Sequence, residues 1–105
     1  MNSKQKGARG EREFASLCRS EGYTVRRTVQ YAGRVEDAAD VIGLPGVHVE
    51  VKRVERLNIE DAMSQTRRDA QGDALPIVAH KRNNHEWLIT MNAADWFKLY
   101  REWSE

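Results

Sequence analysis

Asp40, Glu50 and Lys52 are the residues of this chain whose types and spacing suit catalysis. Two short apolar runs, residues 41–44 and 47–51, flank Pro45-Gly46 and predict a β-hairpin. Strict alternation in the second run sends Val47, Val49 and Val51 to one face and His48, Glu50 and Lys52 to the other. An ordinary half-buried strand accounts for that alternation. It does not account for Asp40 at the head of an apolar strand, where Asp is disfavoured. Two carboxylates on adjacent strands, with a lysine two residues after the second, are what metal-assisted phosphodiester hydrolysis needs. Asp40 and Glu50 supply hard oxygen ligands for Mg²⁺, which takes few protein carboxylates and keeps its remaining positions for water and phosphate. Lys52 can orient the attacking water and offset charge growing on the phosphate.

The hairpin must satisfy a register condition. With a plain two-residue loop, Leu44 pairs with Val47 and Asp40 falls opposite Val51, on the wrong face. An odd loop or a bulge is required to bring Asp40 level with Glu50.

The surrounding elements follow from local signals. Residues 3–21 read as a helix that Gly22 ends, with Phe14, Ala15, Leu17 and Cys18 on one apolar stripe. Glu11 falls within that stripe and Glu13 points away from it. Two readings of Glu11 stand side by side: a carboxylate held by a partner or a metal, and a solvated residue on a frayed first turn. Residues 23–28 form a short strand ending in Arg26 and Arg27, the residue type suited to bidentate phosphate contact. Residues 29–39, with Gly33 and Arg34, read as a loop leading into the site. Asn58 caps a helix with Ile59, Ala62, Met63, Thr66 and Ala70 on one side and Gln65 at its border, and Gly72 ends it. Residues 76–80 are a buried type of strand, Asn83-Asn84 a turn, and residues 86–91 a returning strand. Asn92 to Asp95 repeat the capping pattern before a last helix. Its Trp96, Phe97, Tyr100 and Trp103 share one face, expected to be core with some interface.

Composition bounds the class. At 105 residues and 40% apolar content a single domain spanning 1–105 is expected, with no long apolar run and no signal peptide, hence a cytoplasmic location. One cysteine, Cys18, forbids an internal disulfide and fits plain core. The net charge of +1 conceals an asymmetry. Residues 1–34 carry eight Lys and Arg against three Glu, or +5, and the remainder is −4. A basic first third beside an acidic centre suits phosphate-backbone contact next to a cation site, although solvated helix surface explains many such splits. His48, His80 and His85 are scattered without zinc spacing; each is expected to be structural or solvated, and His48, on the Glu50 face, also has the proton-carrier and extra-ligand readings open.

Asp40, Glu50 and Lys52 resemble the D-x(n)-E-x-K signature of the PD-(D/E)xK nuclease superfamily, with Ala39 where proline commonly precedes the aspartate. The element order α, β, β, β, α, β, β, α is similar to the restriction-endonuclease-like αβββαβ core. The opening Lys6-Gly-Ala-Arg-Gly-Glu-Arg-Glu-Phe14 is similar to that of archaeal-type Holliday junction resolvases, with Glu11 and Arg12 at the acid and arginine of that family's first helix and Arg27 at its strand-end arginine. Gln65, residues 77–82 and Glu86-Trp87-Leu88 resemble short resolvase-like nucleases of phages and prophages. The connection from Asp40 to Glu50 is shorter than in many relatives, and residues 28–39 depart from the resolvase loop.

The resemblance implies an α/β fold with a mixed central sheet flanked by helices, plus a C-terminal strand and aromatic helix. It implies a Mg²⁺-dependent DNA endonuclease, with Mn²⁺ able to substitute, working as a homodimer on branched DNA, in the host cytoplasm if the chain is phage-encoded. Asp40, Glu50, the Val51 carbonyl and Glu11 are the implied metal set, with Lys52 catalytic. Lys6, Arg9, Arg12, Arg27, Arg34 and Gln65 are the candidates for DNA contact. A nuclease acting on flaps, mismatches or plain duplex, and a non-catalytic DNA-binding module of the same fold, are the rivals.

Overall fold

A computed structural model describes residues 3–28 and 39–105, with side chains from Gly7 onward. Eight elements run α1 (Ser3–Ser20), β1 (Arg26–Arg27), β2 (Val41–Ile42), β3 (Val47–Arg53), α2 (Ile59–Asp69), β4 (Leu75–Lys81), β5 (Leu88–Met91) and α3 (Ala93–Ser104). The order is the expected one. The five strands form one sheet in sequence order, antiparallel except where β3 pairs with β4 through the α2 crossover. That parallel step needs a helix-length connection, which residues 54–74 supply.

The alternation of β3 sorts its two faces as expected. Val49 and Val51 join Ile77 and Ala79 beneath Phe14, Ala15 and Cys18 of α1. On the other face Val78 packs against Ala62 and Met63 of α2, where Thr66 is fully buried and donates its hydroxyl to the Ile77 carbonyl at 3.3 Å. Cys18 is core, whereas Leu17 lies at the edge of its stripe and is 37% exposed. Asn58 caps α2 by accepting the Asp61 N–H at 3.1 Å.

The hairpin meets the register condition through a bulge. The Leu44 carbonyl accepts the Val47 N–H at 3.2 Å, closing a turn around Pro45 and Gly46, whose φ of 81° a glycine adopts freely. Further out Val41 pairs with Val49, so β2 carries one residue more than β3 over the same span. Gly43, with φ 117°, lies in that extra stretch. Asp40 is thereby placed opposite Glu50.

Two local expectations need correction. Asn92 occupies the N-cap position of α3 but makes no side-chain cap bond. Its Oδ1 accepts from Arg67 at 3.0 Å instead, tying α3 to α2. The aromatic face of α3 is not core: Trp96, Phe97 and Tyr100 are 42–48% exposed and Trp103 is 80% exposed. Periodicity reports that a helix has an apolar face, but not what covers it, and the sheet's own faces are already occupied by α1 and α2. Among the described residues no helix is long and apolar enough to cross a membrane.

Candidate active site

The site forms where β2 ends beside the middle of β3. Beyond Val41 the ladder stops, and Asp40 takes over the pairing with its side chain. Its N–H donates to the Val49 carbonyl at 2.8 Å, and its Oδ2 accepts the Val51 N–H at 2.8 Å. This bond fixes the carboxyl group over β3, next to Glu50, with which it is within hydrogen-bonding reach. Sequence reasoning had the pairing of strands to work with, but not the side-chain cap that completes it.

Glu50 is 4% exposed, and burial pushes its pKa up to about 7, with the Asp40 charge adding to the rise and Lys52 opposing it. Asp40 is raised in the same direction by burial, partly offset by the Val51 N–H. Two carboxyl groups this close and this desolvated cannot both ionise cheaply unless positive charge is supplied.

Lys52 supplies part of it. Its Nζ is 3.5 Å from Glu50 Oε1 and donates to Gln65 Oε1 on α2 at 3.3 Å. Gln65 therefore holds the lysine from across the crossover, a contact its position at the border of the apolar stripe permitted but did not specify.

Glu11 reaches the same cleft, of about 370 Å³, which Gly7, Glu11, Asp40, Glu50 and Lys52 help to line. Its pKa is raised by burial and by Asp40, and its Oε1 is held by Arg27 Nε at 3.1 Å. The acid from the first helix and the arginine from the first strand, two separate candidates in the sequence, are thus partners. Glu13 does not simply point away from the fold: it bridges Arg9 on its own helix and Arg53 on β3, each at 3.3 Å. Arg9, itself exposed, pairs with Glu13, and Arg12 is exposed beside Glu11. The Lys6 side chain and all of Arg34, with residues 29–38 of the expected 29–39 loop, lie outside the described residues. His48 is buried on the Glu50 face, and its Nε2 has no hydrogen-bond partner among the described residues.

The donor set suits a hard divalent cation. Among the described residues no three acidic, histidine or cysteine side chains are grouped as a ready-made cage. Asp40 and Glu50 offer two carboxylates, and the Val51 carbonyl, on the same strand as Glu50, can offer a third oxygen, the sparse set that Mg²⁺ accepts while retaining waters. Burial first and the Asp40 charge second raise the Glu50 pKa, and a bound cation would oppose both.

A sheet with one parallel crossover, an acid at the end of one strand and an acid-x-lysine on the next define a class, the restriction-endonuclease-like fold. The solved structure of Hjc, a Holliday junction resolvase from Archaeoglobus fulgidus, is similar with a TM-score of 0.55 at 23% identity, over 81% of this chain and 76% of that one. No curated protein matches the chain. The family model described as "Phage putative PDDEXK endonuclease" matches residues 2–105, and the chain belongs to that family. Membership of that family makes it a nuclease.

Proposed function

We propose that the chain is a Mg²⁺-dependent endodeoxyribonuclease that cuts branched DNA, with a four-way junction as its preferred substrate and a homodimer as its working form. The observation that carries this reading is the convergence of Asp40, Glu50 and Lys52 on one face of the sheet, above a cleft open enough for a phosphodiester. The likeness in fold to a junction resolvase supports the choice of substrate.

Asp40, Glu50 and the Val51 carbonyl would hold the cation, which when bound supplies Lewis-acid stabilisation of the phosphate oxygens. Lys52 points its ammonium into the cleft, where it can hydrogen-bond the attacking water or a phosphate oxygen. Gln65 keeps that ammonium from collapsing onto Glu50 alone. Arg12, exposed beside Glu11 on α1, is available for the phosphate next to the one that is cut. Arg27 keeps the Glu11 carboxylate in place and so sets the charge facing Asp40.

Cutting two symmetric strands of a junction requires two sites related by a two-fold axis. The aromatic face of α3 supports a second copy as the occupant. Trp96 stacks on Tyr100 at 5.0 Å, with Phe97 and Trp103 in ring contact beside them. About half of four aromatic side chains is roughly 400 Å² of contiguous apolar surface, within the range of a monomer's largest patch, which is often functional, and about half of one partner's share of a standard dimer.

Cleavage of a four-way junction and of its linear arms, with Mg²⁺, by the wild type and by Glu50→Ala, tests the reading. Junction cutting that greatly exceeds duplex cutting and disappears in the variant is expected. Equal cutting of both substrates would reject the junction, and undiminished cutting by Glu50→Ala would reject the site.

A further inference from the structure

Beyond Lys52, β3 leads through Arg53 and Val54 to the rim of a second cleft, of about 440 Å³, whose far wall is the end of β4 and the turn after it. Val54 lines both clefts, so the two adjoin. Cations are prominent in the lining of the second. Arg56, Lys81 and Arg82 line it, and none has a carboxylate within ion-pair distance among the described residues.

The acids there differ. Glu55 is already engaged, with Oε2 3.7 Å from Arg53 Nη1 and accepting the Asn83 N–H at 2.9 Å. That double contact pins the β4–β5 turn against the segment leaving β3 and keeps the cleft open. Glu86 is the other acid among the described lining residues, so three cations face two acids, a net charge of +1, and one of those acids is already paired outside the lining. Arg82 Nη2 is 3.0 Å from His85 Nε2, an imidazole that accepts from the guanidinium without cancelling its charge. Among the described residues no Phe, Trp or Tyr lines the cleft, so these offer no platform for stacking bases.

We propose that this cleft carries the sugar-phosphate backbone of the strand that passes through the cutting site, with Arg56 and Arg82 as its principal phosphate contacts. The assignment rests on the nuclease reading above. Four residues separate Lys52 from Arg56, at most about 13 Å of chain, or roughly four nucleotide steps at ~3.4 Å each. A polyanion crossing the first cleft therefore meets the second within a few phosphates. Regular charge without stacking selects a backbone rather than a base, so the contact is independent of sequence.

The test is the salt dependence of binding, by fluorescence anisotropy, of a labelled four-way junction in EDTA across a KCl series. Wild type is compared with Arg56→Ala/Arg82→Ala and with Lys98→Ala/Arg101→Ala, which removes the same charge from α3. Thermal unfolding confirms that each variant is folded. Two lost phosphate contacts lower the log–log slope by about two, weaken binding at least tenfold at low salt, and leave the α3 variant with the wild-type slope. An unchanged slope in Arg56→Ala/Arg82→Ala, or an equal fall in both variants, overturns the inference while wild-type cleavage keeps the nuclease reading intact. A wild type that neither binds nor cuts DNA removes both.

Discussion

At the scale of single residues, the behaviour of the site follows from two carboxyl groups that share too little positive charge. Glu50 has a folded pKa of about 7 against an ordinary value of 4.5, so the folded state binds more protons than the unfolded one between those values. Stability of the metal-free protein should therefore fall as pH rises from about 5 to 7 and stay reduced above. Glu50→Gln should abolish that slope and raise the melting temperature at pH 8. A melting profile for Glu50→Gln that parallels the wild type would contradict it. Protons and metal compete for the same oxygens, so Mg²⁺ affinity by calorimetry should be about tenfold weaker at pH 6 than at pH 8. Lys52→Ala should leave the fold intact and slow cleavage by on the order of a hundredfold or more, a few kcal/mol of barrier. Gln65→Ala, which only releases the lysine, should cost less, and equal losses in the two would mean that Gln65 itself touches the reacting groups.

At the scale of elements, positioning depends on two glycines with opposite surroundings to a third. A Cβ on Gly10 would come 2.5 Å from the Cβ of Arg53, so α1 lies on β3 with no space between backbones. Gly10→Ala should lift the helix that carries Glu11 and destabilise by about 1–3 kcal/mol. Gly7, one turn earlier, meets nothing within 4 Å, and Gly7→Ala should stabilise by about 0.5–1 kcal/mol through helix propensity. Denaturant midpoints of the two variants should move in opposite directions. Gly43 combines φ 117° with a Cβ position that collides with the Thr24 carbonyl and comes 2.8 Å from the Val25 Cα. Gly43→Ala attacks the bulge that levels Asp40 with Glu50. It should reduce both stability and Mg²⁺ affinity, whereas a loss of stability alone would separate the bulge from the site.

At the scale of the whole molecule, the unanswered surface is α3. An aromatic row that the sheet does not cover is costly in water, and its ring contacts make it continuous rather than scattered. Trp96→Glu/Trp103→Glu should convert a dimer to a folded monomer in sedimentation experiments, with junction resolution lost and single-strand nicking retained. A wild type that sediments as a monomer at working concentration would overturn the homodimer proposed above.

The sequence by itself determined what local physics can reach. Period-two alternation sorted the faces of β3, and Asp40, Glu50 and Lys52 were legible because a carboxylate at the head of an apolar strand needs a reason. The stop at Gly22 and the cap at Asn58 came from backbone chemistry within a few residues. Even the need for a bulge was legible, since side-chain parity depends only on counting. Tertiary structure alone decided which side chains far apart in the chain meet: Glu11 with Arg27, Glu13 with Arg53, Lys52 with Gln65, and the backbone of Val51 with Asp40. It also decided that α3 stays uncovered, because a helix's apolar face says that burial is favourable and not which surface, or which molecule, provides it.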